Sequence, residues 1–173
     1  MKALLIRLGP TSLRIVTILI AAILGAACGT TGPSLKVNTP PEGHLGAYKS
    51  VQIVCTAEDE KEKGKEYTGR LESQLLVKLR ERDMFQEYKL SKDEGKTDLT
   101  LKAVILDLKK SSGGYVPYGR TTSKVACDVT LVDNQTNATV VSLSVVAKPR
   151  YSNIETALED AATQIADYLR EHK

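Results

Sequence analysis

Three segments of this chain alternate apolar and polar residues with a period of two, and that pattern restricts the fold more than any other feature. In the first, Leu99, Leu101, Ala103 and Ile105 are interleaved with Thr100, Lys102, Val104 and Leu106. In the second, Val125, Cys127, Val129 and Leu131 alternate with Ala126, Asp128 and Thr130; in the third, Val141, Leu143, Val145 and Ala147 alternate with Val140, Ser142, Ser144 and Val146. Successive side chains on a strand point to opposite faces, so each segment reads as a strand with one apolar side. The first is apolar on both sides after Ala103, which predicts a place inside the sheet. Asp133-Asn134-Gln135-Thr136-Asn137 tolerates turn geometry and predicts an antiparallel hairpin between the second and third. Gly and Pro make the stretch from Ser111 to Gly119 a loop. Lys49 to Thr56 is a further strand, with Val51, Ile53 and Cys55 on one side, and a short strand is expected near Gln86 to Leu90.

Two segments have helical spacing instead. Tyr67, Leu71, Leu75 and Leu79 form a stripe widened by Leu76, with Lys78, Arg80, Glu81 and Arg82 toward water. The charge run from Ala57 to Glu66 reads as a solvated loop leading into that helix. Leu158, Ala161, Ala162, Ile165, Tyr168 and Leu169 line a closing helix, and Ser152 to Glu155 has capping-box spacing, serine oxygen and glutamate carboxylate each satisfying a free N–H. Each helix has one apolar stripe. The expected fold is therefore α+β: a mixed, mainly antiparallel β-sheet with two helices packed on one face, in the order strand, helix, strands, helix.

The N-terminal region has a different logic. Lys2, Arg7 and Arg14 precede an uncharged apolar run from Ile15 to Ala27 that stops at Cys28. A helix of that length, about 20 Å, is short for a bilayer core of about 30 Å and suits a secretory signal. Leu24, Ala26, Ala27 and Cys28 resemble the lipobox of bacterial lipoproteins, with Gly25 where that pattern usually has Leu. The resemblance implies cleavage before Cys28 and acylation of its thiol, with palmitate among the acyl groups. Residues 1–27 are thus expected to be a signal peptide, 28–46 a lipidated cysteine and flexible tether, and 47–173 a single domain.

Charge follows from that division. The chain has 24 Lys+Arg and 21 Asp+Glu, and the three basic residues of the signal account for the whole excess. A neutral mature chain gives no reason to expect nucleic acid as a partner. Cys55 and Cys127 each share the apolar side of a strand. Because the Lys49 strand is expected to border the Asp98 strand, and not the one holding Cys127, two buried free thiols are favoured over a disulfide.

Tyr48, Val51 and Ile53 open one strand; Asp98, Leu99 and Leu101 begin another; Val129, Leu131, Asp133 and Thr136 end the next; Ala157, Ala161, Ile165 and Leu169 lie on the closing helix. Together these resemble small bacterial lipoproteins of the domain-of-unknown-function 4410 family and, more loosely, the N-terminal domain of TolB and the periplasmic domain of the lipoprotein CsgG. Asn137 stands where relatives often place Gly, a position that Asn also tolerates. The resemblance implies an α+β envelope domain and supplies no catalytic residue.

Catalytic inventory is thin. The only histidines are His44, in the expected tether, and His172, next to the C-terminus. This leaves no Ser/His, Cys/His or His-rich metal constellation, and no glycine-rich loop joins a strand to a helix. No enzyme activity, cofactor or metal is expected. Tyr115, Tyr118 and Arg120 in the Gly/Pro loop are the candidate partner-binding residues, since tyrosine and arginine give large contact area and a planar charge. The functional expectation is a lipid-anchored envelope protein acting by protein contact, as an accessory subunit or regulator of an assembly. A carrier or sensor of a small apolar ligand is the alternative. Gly29 after the cysteine favours the outer membrane, facing the periplasm, if the host is Gram-negative.

Overall fold

The computed structural model describes residues 34–58, 62–109, 123–149 and 153–173, and only the backbone of 62–65. The strands are β1 (Ser34–Thr39), β2 (Ser50–Ala57), β3 (Glu87–Leu90), β4 (Leu99–Lys109), β5 (Lys124–Asp133) and β6 (Thr139–Ala147); the helices are α1 (Glu62–Glu81) and α2 (Ile154–Glu171). The six strands form one mixed sheet in the order β1-β6-β5-β4-β2-β3. β2 runs parallel to β3 and β4, and every other pair is antiparallel. The α+β architecture follows the alternation. β4 lies inside the sheet, and its apolar side faces the helices with Leu99, Leu101 and Ala103 fully buried.

Both helices cover the same face. α1 lies over β2, and α2 over β5 and β6. Tyr67, Leu71, Leu75 and Leu79 point inward from α1, as do Leu158, Ala161, Ala162, Ile165 and Leu169 from α2, all nearly without exposure. Fully burying one such branched side chain is worth about 1.5–3 kcal/mol, so these stripes hold the layers together. α1 ends in a paired-bond cap: Asp83 N–H donates to the Arg80 carbonyl and Met84 N–H to that of Leu79. Asp83 occupies the left-handed position, φ 50°, where glycine is more usual.

Four expectations need correction. Part of the tether is sheet: β1 pairs antiparallel with β6, Leu35 opposite Val145 and Val37 opposite Leu143. The outer edge of β6 offers backbone groups that need partners, and this short segment supplies them. Leu45 is also buried, in a 3-10 turn (Leu45–Ala47) whose first N–H donates to the His172 carbonyl at 3.0 Å. The described fold therefore starts at Ser34, before the expected boundary at 47. Second, α1 begins at Glu62, inside the charge run read as loop. Third, Lys78 and Arg82 do not point freely to water. The side chain of Lys78 is 16% exposed and pairs with Glu159 at 3.0 Å, while that of Arg82 is 13% exposed and pairs with Asp167 at 2.6 Å. With Arg70–Glu155, they make a ladder between the two helices, which run in the same direction. Fourth, the cap of α2 is one residue later than expected. Asn153 Oδ1 accepts the Thr156 N–H at 3.0 Å, and Glu155 is engaged by Arg70 instead. Ser152 lies outside the described residues.

Cys55 and Cys127 are free, as expected. β4 separates their strands, with Cys55 opposite Ala103 and Cys127 opposite Ile105. Two strand spacings, about 9.5 Å, exceed the Cα separation of about 4.4–6.8 Å that a disulfide tolerates. Burial pushes both thiols up, Cys127 to about 12, so neither is a thiolate at neutral pH.

Candidate functional site

Four polar residues at strand boundaries meet at one end of the sheet. Asp98 precedes β4, Tyr48 precedes β2, Asp133 ends β5, and Asn134 starts the β5–β6 turn. Asp98 Oδ2 accepts the N–H groups of Lys49 at 2.7 Å and Ser50 at 3.0 Å, while Ser50 Oγ accepts the Asp98 N–H at 2.9 Å. Tyr48 donates its hydroxyl to Asp133 Oδ2 at 3.0 Å. Asp133 Oδ1 accepts the N–H groups of Gln135 and Thr136, closing the turn around Asn137, which has φ 57°. Asn134 Nδ2 donates to the Thr97 carbonyl at 2.9 Å, and its Oδ1 accepts the Thr100 hydroxyl at 2.8 Å. This network ties the entries of β2 and β4 to the exit of β5.

Backbone N–H groups hold the Asp98 and Asp133 carboxyls below the usual range. Burial, then the bond to Asp133, pushes Tyr48 up. Both effects move these groups away from neutral titration, where a general acid or base works best. Two clefts flank the network. One of about 420 Å³ is bordered by Glu42, His44, Tyr48, Asp133, Thr136 and Val140; the other, about 650 Å³, by Gln52, Lys96, Thr97, Asp98, Thr100 and Asn134.

The histidines are part of this end of the fold. His44 borders the smaller cleft and is not in free tether, as had been expected. His172 stacks on Tyr168 with ring centroids 4.4 Å apart, its Nδ1 2.8 Å from the Tyr168 carbonyl oxygen. Among the described residues no group of three His, Cys, Asp or Glu is placed to hold a metal ion. Cys28, Tyr115, Tyr118 and Arg120 lie outside the described residues.

The sheet face opposite the helices is uncovered by any described element. Val54, Val104 and Val146 are half-buried there, and Leu106 is 42% exposed at a bulge, where the β4–β5 register shifts between Ile105 and Asp107. A polar chain crosses three strands on this face: Asn38 Nδ2 donates to Ser144 Oγ at 2.9 Å, and Ser144 Oγ donates to Asp128 Oδ1 at 2.7 Å. Sequence reasoning placed Asp128 on this face but found neither this chain nor the network around Asp98. The available signal was a polar residue at each strand boundary, and Tyr48, Asp98 and Asp133, though not Asn134, are among the residues that carry the family resemblance.

The chain thus has the fold of small α+β proteins in which two helices cover one face of a mixed sheet. No family model matches it, and no curated protein matches it. Solved structures do. A PelC dodecamer from Paraburkholderia phytofirmans is 12% identical with a TM-score of 0.63, over 80% of this chain and 97% of that one. Protein XCC0632 from Xanthomonas campestris, of the DUF330 family, is 13% identical with a TM-score of 0.52, over 80% of this chain and 90% of that one. A minor lipoprotein from Acinetobacter baumannii is 16% identical with a TM-score of 0.38, over 72% of this chain and 94% of that one. At these identities the first two likenesses show a shared fold.

Proposed function

We propose that this is a lipid-anchored envelope protein that acts by protein–protein contact, as an accessory subunit or regulator of a larger envelope assembly. The observation that carries the reading is the uncovered sheet face. Val54, Val104, Leu106 and Val146 share it with Lys102, Asp128, Thr130 and Ser144, a mixture of apolar and polar groups on a rigid surface that suits a non-obligate interface. A protein of the same fold is a dodecamer, which supports assembly as a use of this scaffold. The residues resembling the domain-of-unknown-function 4410 family, with the apolar run that ends at Cys28, support the envelope and the anchor. Gly29 after the cysteine supports the outer membrane. Catalysis is not part of the reading, because the polar groups at the sheet end are spent on one another and on backbone.

A photo-crosslinking residue placed at Lys102 or Val104 in cells tests it. Discrete protein adducts are expected from both positions and not from Ser73, which is exposed on α1. Absence of adducts at the sheet positions, or the same adducts from Ser73, overturns the reading.

A further inference from the structure

Three adjacent strands each carry a lysine at the same end of the sheet. Lys109 ends β4 and stands opposite Lys124, the first residue of β5. Val125 faces Ala147, so Lys148, just past β6, lies beside Lys124. Like charges on neighbouring strands repel, so this row is unfavourable by itself. Asp107 answers only part of it, through a 2.7 Å bond from Lys124 Nζ. Lys109 and Lys148 have no acidic partner among the described residues.

The chain enters the sheet at that end. Ser34, the first residue of β1, pairs with Val146, two residues before Lys148. Only five residues separate Ser34 from Cys28, and the six fully extended steps between the two span about 20 Å. β4 alone has 11 residues, about 35 Å of strand. The sheet end holding Asp98 and Asp133 therefore lies a full strand length from where the anchor joins.

We propose that the Lys109–Lys124–Lys148 end of the sheet seats on the membrane, its ammonium groups engaging the phosphates of anionic lipid headgroups, with the Asp98–Asp133 end directed away. The proposal rests on acylation of Cys28. Lipid attachment at one cysteine holds the domain at the bilayer but leaves its orientation free, and a basic cluster held at the surface is a second contact that fixes it. A lysine near an anionic bilayer strengthens attraction about fivefold, so Lys109 and Lys148, the two without an acidic partner, together contribute on the order of 25-fold.

The test uses the full lipidated protein on phosphatidylcholine vesicles with and without phosphatidylglycerol. A fluorophore is carried at Ser34→Cys or at Gln135→Cys, which mark opposite sheet ends, and is read with a headgroup-attached quencher. Quenching at position 34 should rise when phosphatidylglycerol is present, while position 135 stays unquenched. The rise should vanish in K109Q/K124Q/K148Q and, without any variant, in high salt. Equal quenching at both positions, or a rise that survives both the variant and salt, overturns the proposal. Flotation with both vesicle types but no dependence on phosphatidylglycerol overturns it while the anchor stands. Flotation with neither overturns the anchor and the proposal together.

Discussion

Removing the Asp98 carboxylate should loosen the end of the sheet that joins β2, β4 and β5. Asp98 Oδ2 accepts two backbone N–H groups, from Lys49 at 2.7 Å and Ser50 at 3.0 Å. Asp98→Ala deletes both bonds. Water replaces the partner of Lys49, which is exposed, whereas Ser50 is 9% exposed and keeps a poorly solvated donor. A hydrogen bond to a charged group is worth about 1.5–3 kcal/mol when well shielded. Asp98 is half-buried and its carboxylate is only partly shielded from water, so the charge contribution is discounted and a loss of about 1–2 kcal/mol is expected for Ala, about half that for Asn. In a domain of this size each kcal/mol is worth about 3–5 °C in melting temperature. The pH dependence separates charge from packing. Backbone N–H bonds depress the folded-state pKa below the unfolded value of about 3.9. The stabilisation is therefore complete above the unfolded value and is lost as pH falls through the folded one. Urea melts should show wild type ahead of Asp98→Asn at pH 7, with the gap closing below about pH 4. A gap that persists unchanged at pH 3, or an Asp98→Ala variant as stable as wild type at pH 7, refutes the reasoning.

Ile165→Asp should unfold the domain or nearly so, since it puts a carboxylate at a fully buried position where the lost side chain alone was worth roughly 2 kcal/mol of a total near 5–15; an unchanged cooperative melt would show that the face of α2 is misassigned. Alkylation of protein recovered from the envelope, under denaturing and non-reducing conditions, should modify both Cys55 and Cys127, and a chain with neither modified would contradict the strand order. Cys28→Ala should abolish labelling by a fatty-acid analogue and leave an unprocessed precursor, whereas retained label would mean that another group carries the lipid.

Much of the architecture was legible because it follows from local periodicity. Leu99 to Ile105, Val125 to Leu131 and Val141 to Ala147 declare a buried side without reference to one another, and so do the stripes on α1 and α2. The side that is apolar in sequence is the side that leaves water in the fold, since the hydrophobic contribution depends on area removed from water and not on which partner removes it. Even the separation of Cys55 from Cys127 followed from hairpin logic. β1 was not legible: Leu35 and Val37 between two prolines give a weak pattern, and its reason for being a strand lies in β6, more than 100 residues later. The ladder of Arg70, Lys78 and Arg82 with Glu155, Glu159 and Asp167 has the same character, because a charge on an outer helix face looks solvated until a second helix is laid beside it.

What the sequence determined by itself was every element except β1, the buried face of β2, β4, β5, β6 and both helices, the apolar run ending at Cys28, and the poverty of catalytic side chains. Tertiary structure decided which strands are neighbours, and that choice alone brought Tyr48, Asp98, Asp133 and Asn134 into one network and aligned Lys109, Lys124 and Lys148 at the other end. Periodicity specifies how a segment meets its core, through a free energy that accrues residue by residue. Register between segments distant in the chain is set by backbone hydrogen bonds that every residue offers almost equally, so it becomes definite only when the layers pack.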